Sequence, residues 1–358
     1  MSSDTIFGYI FRLFSAAVIL TSVSCAPRDR YVSFTGFAQG GTYSVQFNMN
    51  GRDGMIKERV QTVRDSVDAI LGAIDRSLSG YNRNSLLSRF NEGLTIRPDS
   101  LFIDIYDRSY DIYESTAGVV DVASAPLFDI WGFGFKNGQI PDDELVARTM
   151  AGCGMRRLRK DMRAYLTESG ELDPRRLLDE NATGTVALNY NAVAQGYSCD
   201  VVARYLYSLG VKDMMVNIGE IYCDGLNPSG KAWTIGIDKP VDGNNDPGVQ
   251  LQGVFSVPSG PHGVVTSGNY RKFYVSDGRK YAHTIDPRTG RPVTHNLLSA
   301  TVIAPDATLA DAYATYCMVV GLDQAVAFIE SSPDLEACLI YDDNGQFRTW
   351  TSTGLSLN

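Results

Sequence analysis

Asp311 and Thr315 stand four residues apart in Ala310-Asp311-Ala312-Tyr313-Ala314-Thr315. On a helix that spacing turns a carboxylate and a hydroxyl toward one face. Both are oxygen donors of the kind hard cations take, and Mg2+ combines few protein ligands with phosphates and water. A solvated helix face with a local hydrogen bond has the same spacing. Upstream lies His283-Thr284-Ile285-Asp286-Pro287-Arg288-Thr289-Gly290. Its Pro-Arg-Thr-Gly turn can offer backbone N–H groups and one guanidinium to an oxyanion, or can be an ordinary surface turn. In Gly36-Phe37-Ala38-Gln39-Gly40-Gly41-Thr42-Tyr43 the missing side chains let backbone approach a ligand closely, or simply make a bulge or turn. Tyr81, in Ser79-Gly80-Tyr81-Asn82, can stack on a planar heterocycle or sit at the rim of the core. A further short stretch, Gly118-Val119-Val120-Asp121, leads toward Trp131-Gly132.

Several chemistries lack their residues. The three histidines, His262, His283 and His295, are too scattered for a helical zinc motif. The chain has no GxSxG nucleophile elbow, no Walker A sequence and no GxGxxG opening a helix.

These residues need elements to hold them. From Ile56, the positions Val60, Val63, Val67, Ile70, Leu71, Ile74 and Leu78 recur at helical spacing and predict an amphipathic helix ending near Ser79-Gly80. A second helix is predicted after Gly196, with Val201, Val202, Tyr205, Leu206 and Leu209, stopped by Gly210. A third begins near Asp306, carries Asp311 and Thr315, and closes at Gly321. Short strands are predicted at 43–47, 214–218, 233–237, 298–304 and 338–341. Strands that adjoin one another as well as helices imply an α+β fold of one compact domain. The polar stretch 160–174 and the turn-rich 242–248 are the softest places in it.

Composition limits the functions open to this fold. Of 358 residues, 44% are hydrophobic and 20% charged, which fits a globular body and not a disordered or multi-span membrane chain. Lys plus Arg number 32 against 41 Asp plus Glu, a net charge of -9 without any basic run, so nucleic-acid binding is disfavoured. That acidity repels phosphate-bearing ligands unless a metal ion or converging N–H groups reverse the field locally. Residues 6–23 are mostly apolar, with Arg12 as the only basic residue, and run into Ser24-Cys25. They look like an export signal, and Leu20 to Cys25 resembles a loose bacterial lipobox with Ser22 where leucine is usual. The expectation is a signal peptide over 1–24, a lipid on Cys25, a short linker over 25–33 and a domain over 34–358. This places the protein in the cell envelope, anchored to a membrane and facing the periplasm. Loss of Asp4 and Arg12 together leaves the mature charge at -9. Five cysteines remain, Cys153, Cys199, Cys223, Cys317 and Cys338, without CxxC spacing, which argues for small buried hydrophobes over a thiolate metal site or a full disulfide framework.

Taken in order, these stretches resemble the bacterial FAD:protein FMN transferases, the ApbE-type flavin-trafficking lipoproteins, from about Phe34 to Gly321. The resemblance implies a single T-fold-like α+β domain with mixed or antiparallel sheets and flanking helices. It implies binding of FAD and Mg2+, and transfer of the FMN moiety to a Ser or Thr hydroxyl of a target flavoprotein with release of AMP. Carried over by position, Gln39, Gly40 and Thr42 fall in the family's Met-Gly-Thr-Thr, and Tyr81 on its flavin-contacting tyrosine. Val119, Val120 and Asp121 fall on the Ala-Phe-Asp that helps hold FAD, with Asn189, Gln195, Ile285 and Arg288 as further cofactor contacts. Asp311 and Thr315 match the metal ligands, joined by the carbonyl of Ala192. His283, with an ordinary pKa of about 6.5, is the candidate base for the acceptor hydroxyl, with a buried structural histidine as the alternative. Three departures stand out: Gln195 replaces a lysine, Val120 a phenylalanine, and Ile218 the first glycine of Ile-Gly-Gly-Glu-Ile. The same scaffold could serve as an FAD pyrophosphatase, with water as acceptor, or as a flavin-binding lipoprotein without turnover.

Overall fold

The computed structural model describes residues 30–133, 140–241, 248–269, 273–276, 279–282 and 284–358. The expected signal peptide, Cys25 and His283 lie outside the described residues, as do residues 242–247 of the turn-rich stretch. At the centre is an eight-stranded sheet: Tyr31–Ala38 (β1), Gly41–Asn48 (β2), Met214–Asn217 (β3), Ile221–Asp224 (β4), His262–Gly268 (β5), Leu297–Ala304 (β6), Glu336–Asp343 (β7) and Gln346–Thr351 (β8). The strands lie side by side in chain order, each antiparallel to its neighbours.

Two excursions from this meander supply the helices. Between β2 and β3 come Val60–Leu78 (α1), Leu86–Asn91 (α2), Ser100–Ser115 (α3), Ala125–Ile130 (α4), Asp143–Gly152 (α5) and Ala194–Ser208 (α6). Between β6 and β7 come Ala307–Val320 (α7) and Leu322–Glu330 (α8). Strand alternation sorts the two faces. In β6, Ala300, Val302 and Ala304 pack with Ala310, Ala314 and Cys317 of α7, whereas Ile303 points the other way. There it meets Trp233, Ile235 and Phe255 of a second layer, in which Thr234–Asp238 pairs with Leu251–Ser256. The α+β expectation therefore holds, with an antiparallel sheet covered on both faces. All five described cysteines are buried and unpaired. No described helix is long and apolar enough to cross a membrane.

The predicted helices form, with informative shifts at their ends. α1 starts at Val60 and not at Ile56, because the Ile56 N–H donates instead to the Met49 carbonyl at 2.9 Å beside a small hairpin. α6 starts two residues ahead of Gly196, which therefore lies in its first turn. α7 runs between the predicted boundaries: the Asp306 side chain accepts from the Leu309 N–H at 2.8 Å, and Gly321 ends the helix at φ 79°.

Glycines set how closely α6, α7 and β5 approach. A Cβ on Gly196 would overlap the Ala307 carbonyl oxygen and lie 2.6 Å from its carbon and 2.9 Å from Asp311 Cβ. A Cβ on Gly263 of β5 would overlap the Ala307 backbone on the opposite side. The start of α7 is thus wedged between a helix and a strand, each contributing a residue without a side chain.

Candidate active site

The α6–α7 crossing brings Asp311 to the start of α6. The Gly196 N–H lies in the first turn of α6, where N–H groups have no carbonyl partner within the helix, and donates to Asp311 Oδ2 at 3.1 Å. Among the described residues no backbone group donates to the Ala192 carbonyl. Asp311 is only 6% exposed, and no described group donates to its Oδ1. Burial first, and the nearby charge of Asp200 second, push its carboxyl up to about 7 against the opposing pull of the Gly196 N–H. Thr315 lies one turn further along α7, half-buried.

This donor set fits a hard divalent cation. A buried carboxylate with one protein donor and a hydroxyl one turn away, packed on the first turn of α6 that follows Ala192, are oxygen groups that a cation would complete. Among the described residues no three His, Cys, Asp or Glu side chains gather around one metal-sized point. Asp311, Thr315 and the Ala192 carbonyl would therefore hold the ion together with ligand phosphates and water, the pattern that suits Mg2+.

Asp200 and Asp306 fix the end of α7 that carries Asp311. Asp200 accepts from the N–H groups of Ala307 and Thr308, each at 2.9 Å, and from the Thr308 hydroxyl. Sequence reasoning gave Asp200 no role, although it follows Gly196 by one helical turn. Asp306 was legible only as a helix cap.

Several other predicted residues contact α6 or the segment that leads into it. The β1–β2 turn places Gln39 at φ 51° and Gly40 at φ 80°, and the Gln39 amide donates to Ser198 Oγ of α6 at 2.5 Å. Thr42 is exposed and faces Phe37 across the hairpin. Tyr81 is 73% exposed, its hydroxyl 3.5 Å from the Asn191 amide. The core-rim alternative for it therefore falls away. Asn189 accepts the Asn191 N–H at 2.9 Å and donates its own N–H to the Val122 carbonyl at 2.7 Å, tying the approach to α6 to the 119–123 stretch. The Gln195 amide lies against Gly219, where a Cβ would come within 3.0 Å of Gln195 Cδ. Gly219 alone carries the left-handed φ of 89°, while Ile218 is buried in the core. The turn thus keeps a glycine where one is needed.

Three residues differ from their simplest expectation. Val119 and Val120 are buried, leaving their backbone as the part nearest any ligand. The Asp121 carboxylate accepts from Ala123 N at 2.9 Å and from Met155 N at 3.0 Å, so it anchors the loop. Desolvation pushes its carboxyl up to about 6, with the two backbone donors and Arg156 pulling the other way. Because this lies above the ordinary value of 3.8, the folded chain holds the proton more tightly than the unfolded chain, and stability falls as pH rises through that window. The stability of wild type relative to Asp121→Asn should fall by at most about 3 kcal/mol between pH 4 and 6 and stay level above that. Thermal melts across pH would refute this with a difference that stays flat.

The Pro-Arg-Thr-Gly turn does not display its donors. Arg288 N donates to Asp286 Oδ1 at 2.9 Å, Thr289 N and Gly290 N donate to the Asp286 carbonyl at 3.2 and 2.8 Å, and the Arg288 guanidinium pairs with Asp286 at 2.9 Å. An Asp at the first position of the turn satisfies its own backbone and its own arginine, which the oxyanion reading overlooked. Ile285 is buried with Leu127, Trp131 and Val146, and the Trp131 indole donates to the Gly290 carbonyl at 2.7 Å. This block adjoins α7 on its Tyr316 side.

The eight-stranded antiparallel sheet with helices packed against it is an α+β fold shared with solved flavin transferases. The chain belongs to the ApbE family, whose match spans residues 40–339. It is similar to the FAD:protein FMN transferase of Klebsiella pneumoniae (strain 342), at 31% identity over 95% of this chain and 94% of that one. It also resembles the FAD:protein FMN transferase of Escherichia coli (strain K12), at 33% identity over 84% and 81%. Among solved structures, the flavin transferase ApbE from Vibrio cholerae superposes with TM-score 0.72 at 28% identity, covering 91% of this chain and 98% of that one. The Pseudomonas stutzeri flavinyl transferase ApbE, apo form, gives 0.74 at 28% identity, covering 91% and 95%.

Proposed function

We propose that this protein transfers the FMN moiety of FAD to a Ser or Thr hydroxyl of a target flavoprotein in a Mg2+-dependent reaction that releases AMP. The observation that carries this reading is the buried Asp311 carboxylate at the α6–α7 crossing, with the Gly196 N–H of the first turn of α6 as its one protein donor among the described residues. The acceptor oxygen forms a bond to the FMN-side phosphorus as the bond from that phosphorus to the bridging oxygen breaks, so that AMP leaves with the electron pair. The acceptor's proton passes to a base, a role that the chemistry of an imidazole suits His283 to fill. Mg2+ held by Asp311, Thr315 and the Ala192 carbonyl would supply charge neutralisation at the diphosphate oxygens. Gln39, Gly40 and Thr42 line the approach to α6, and the exposed ring of Tyr81 offers a face for the isoalloxazine. Asp121 and Asn189 hold the loop that carries Val119 and Val120. Gln195, neutral where the family commonly has lysine, leaves neutralisation of the diphosphate more dependent on the metal. The same reading places the protein in the cell envelope, held by a lipid on Cys25 and facing the periplasm, where it acts on an electron-transfer flavoprotein.

The full mature chain incubated with FAD, Mg2+ and an acceptor flavoprotein should yield an acceptor heavier by one FMN, together with AMP, by intact mass and chromatography. FMN and AMP with an unmodified acceptor would mean that water is the acceptor. Absence of AMP would mean a binding protein without turnover.

A further inference from the structure

We infer that Arg108 is a positioning residue that sets the Mg2+ affinity of the site by fixing the start of α7. The inference rests on the reading of Asp311 as a metal ligand. Arg108 projects from α3, and its Nη1 lies 3.3 Å from Asp306 Oδ2 and 3.7 Å from Asp200 Oδ2. Those carboxylates are the two that cap α7: Asp200 takes the N–H groups of Ala307 and Thr308, and Asp306 takes that of Leu309. Asp311 follows within the next two residues. One cation on a separate helix therefore bridges both anions that orient the metal-bearing turn. Its Nε also lies 3.9 Å from Asp104, which is itself held by the Tyr197 hydroxyl at 2.8 Å and by Arg204 at 3.2 Å, both from α6. Through Arg108 and Asp104, α3 links the two helices whose crossing forms the site.

Asp200 is only 4% exposed, and its charge adds to that of Asp306 and Asp311 around one helix end. Three carboxylates so close repel one another, and a guanidinium that reaches two of them at once holds those two in place. Groups that orient metal ligands without touching the metal commonly change affinity by about 10–100-fold when removed.

Two physical effects predict opposite signs, which makes the inference decidable. If Arg108 acts only as a nearby positive charge, its removal makes the site more negative and Mg2+ binds more tightly. If it positions α7, removal loosens the turn that carries Asp311 and Mg2+ binds more weakly. In the full mature chain, Arg108→Gln should raise the half-saturating Mg2+ concentration about tenfold, in both calorimetric binding and FMN transfer, with kcat at saturating Mg2+ changed less than about threefold. Amide exchange at residues 307–309 of the metal-free protein should accelerate about tenfold or more. Arg108→Lys, which keeps a charge but cannot span both carboxylates, should fall between the two and serves if the glutamine variant does not fold. Unchanged or tighter Mg2+ binding overturns the inference, and so does a loss of kcat that excess Mg2+ does not restore. Mg2+ binding that survives Asp311→Asn overturns the ligand reading itself, and with it this inference. That failure is recognised in variants with arginine still at position 108.

Discussion

Asp311→Asn should reduce FMN transfer by about 10^3-fold in kcat/KM, the scale expected when a group that stabilises charge in the transition state is lost, while leaving a folded protein. The substitution keeps the side chain's shape and an oxygen for the Gly196 N–H, which donates at 3.1 Å. It removes the only charge in the proposed ligand set of carboxylate, hydroxyl and carbonyl. The fold should tolerate this well, since burial already disfavours ionisation of the carboxyl. Calorimetry should show Mg2+ binding lost and the metal-free melting temperature unchanged or raised. Wild-type turnover in this variant would remove Asp311 from the chemistry.

Gly196→Ala should be among the most damaging additions of a single methyl group. Its Cβ would overlap the Ala307 carbonyl oxygen and lie 2.6 Å from the carbonyl carbon, and neither atom can rotate away as a side chain can. The helices must separate. Gly263 and β5 back the same residue from the other side, so α7 has no room to retreat. Overpacking of this kind costs about 1–3 kcal/mol or more, lowering the melting temperature by roughly 3–10 °C. Any separation also stretches the contact from Gly196 to Asp311. The variant should therefore lose Mg2+ affinity as well as stability, in contrast to a cavity mutation elsewhere in the core. A melting temperature within a degree of wild type would show that the crossing is looser than its geometry implies.

The parts of the fold legible in the sequence were those with local causes. Asp306 and Gly321 bracket α7 because a cap and a left-handed glycine act within a few residues of themselves, and the 3.6-residue rhythm of α1 reflects one buried face. The start of α1 was misplaced because Ile56 is engaged by Met49, a partner that the helical rhythm does not reveal. The site divides in the same way. Asp311 and Thr315 could be paired through helical spacing, but that Gly196 would supply their neighbour depends on a crossing between residues 115 positions apart. The turn at Asp286 failed in the opposite direction: its arginine looked available because nothing in a string of letters says that the aspartate two places earlier has claimed it. Arg108 left no local trace at all, since its meaning comes from two carboxylates on other elements.

Because the contact from Gly196 to Asp311 joins residues 115 positions apart, the first turn of α6 waits for a partner that is synthesised much later. Gln39, Tyr81 and Gln195 can all have emerged, yet until residue 307 and its successors arrive the first turn of α6 has nothing to cross, and the Gly196 N–H has no carboxylate to meet. If the proposed metal site is what takes the diphosphate, a chain cut short before α7 should bind no FAD in the presence of Mg2+, however much of the preceding sheet had formed.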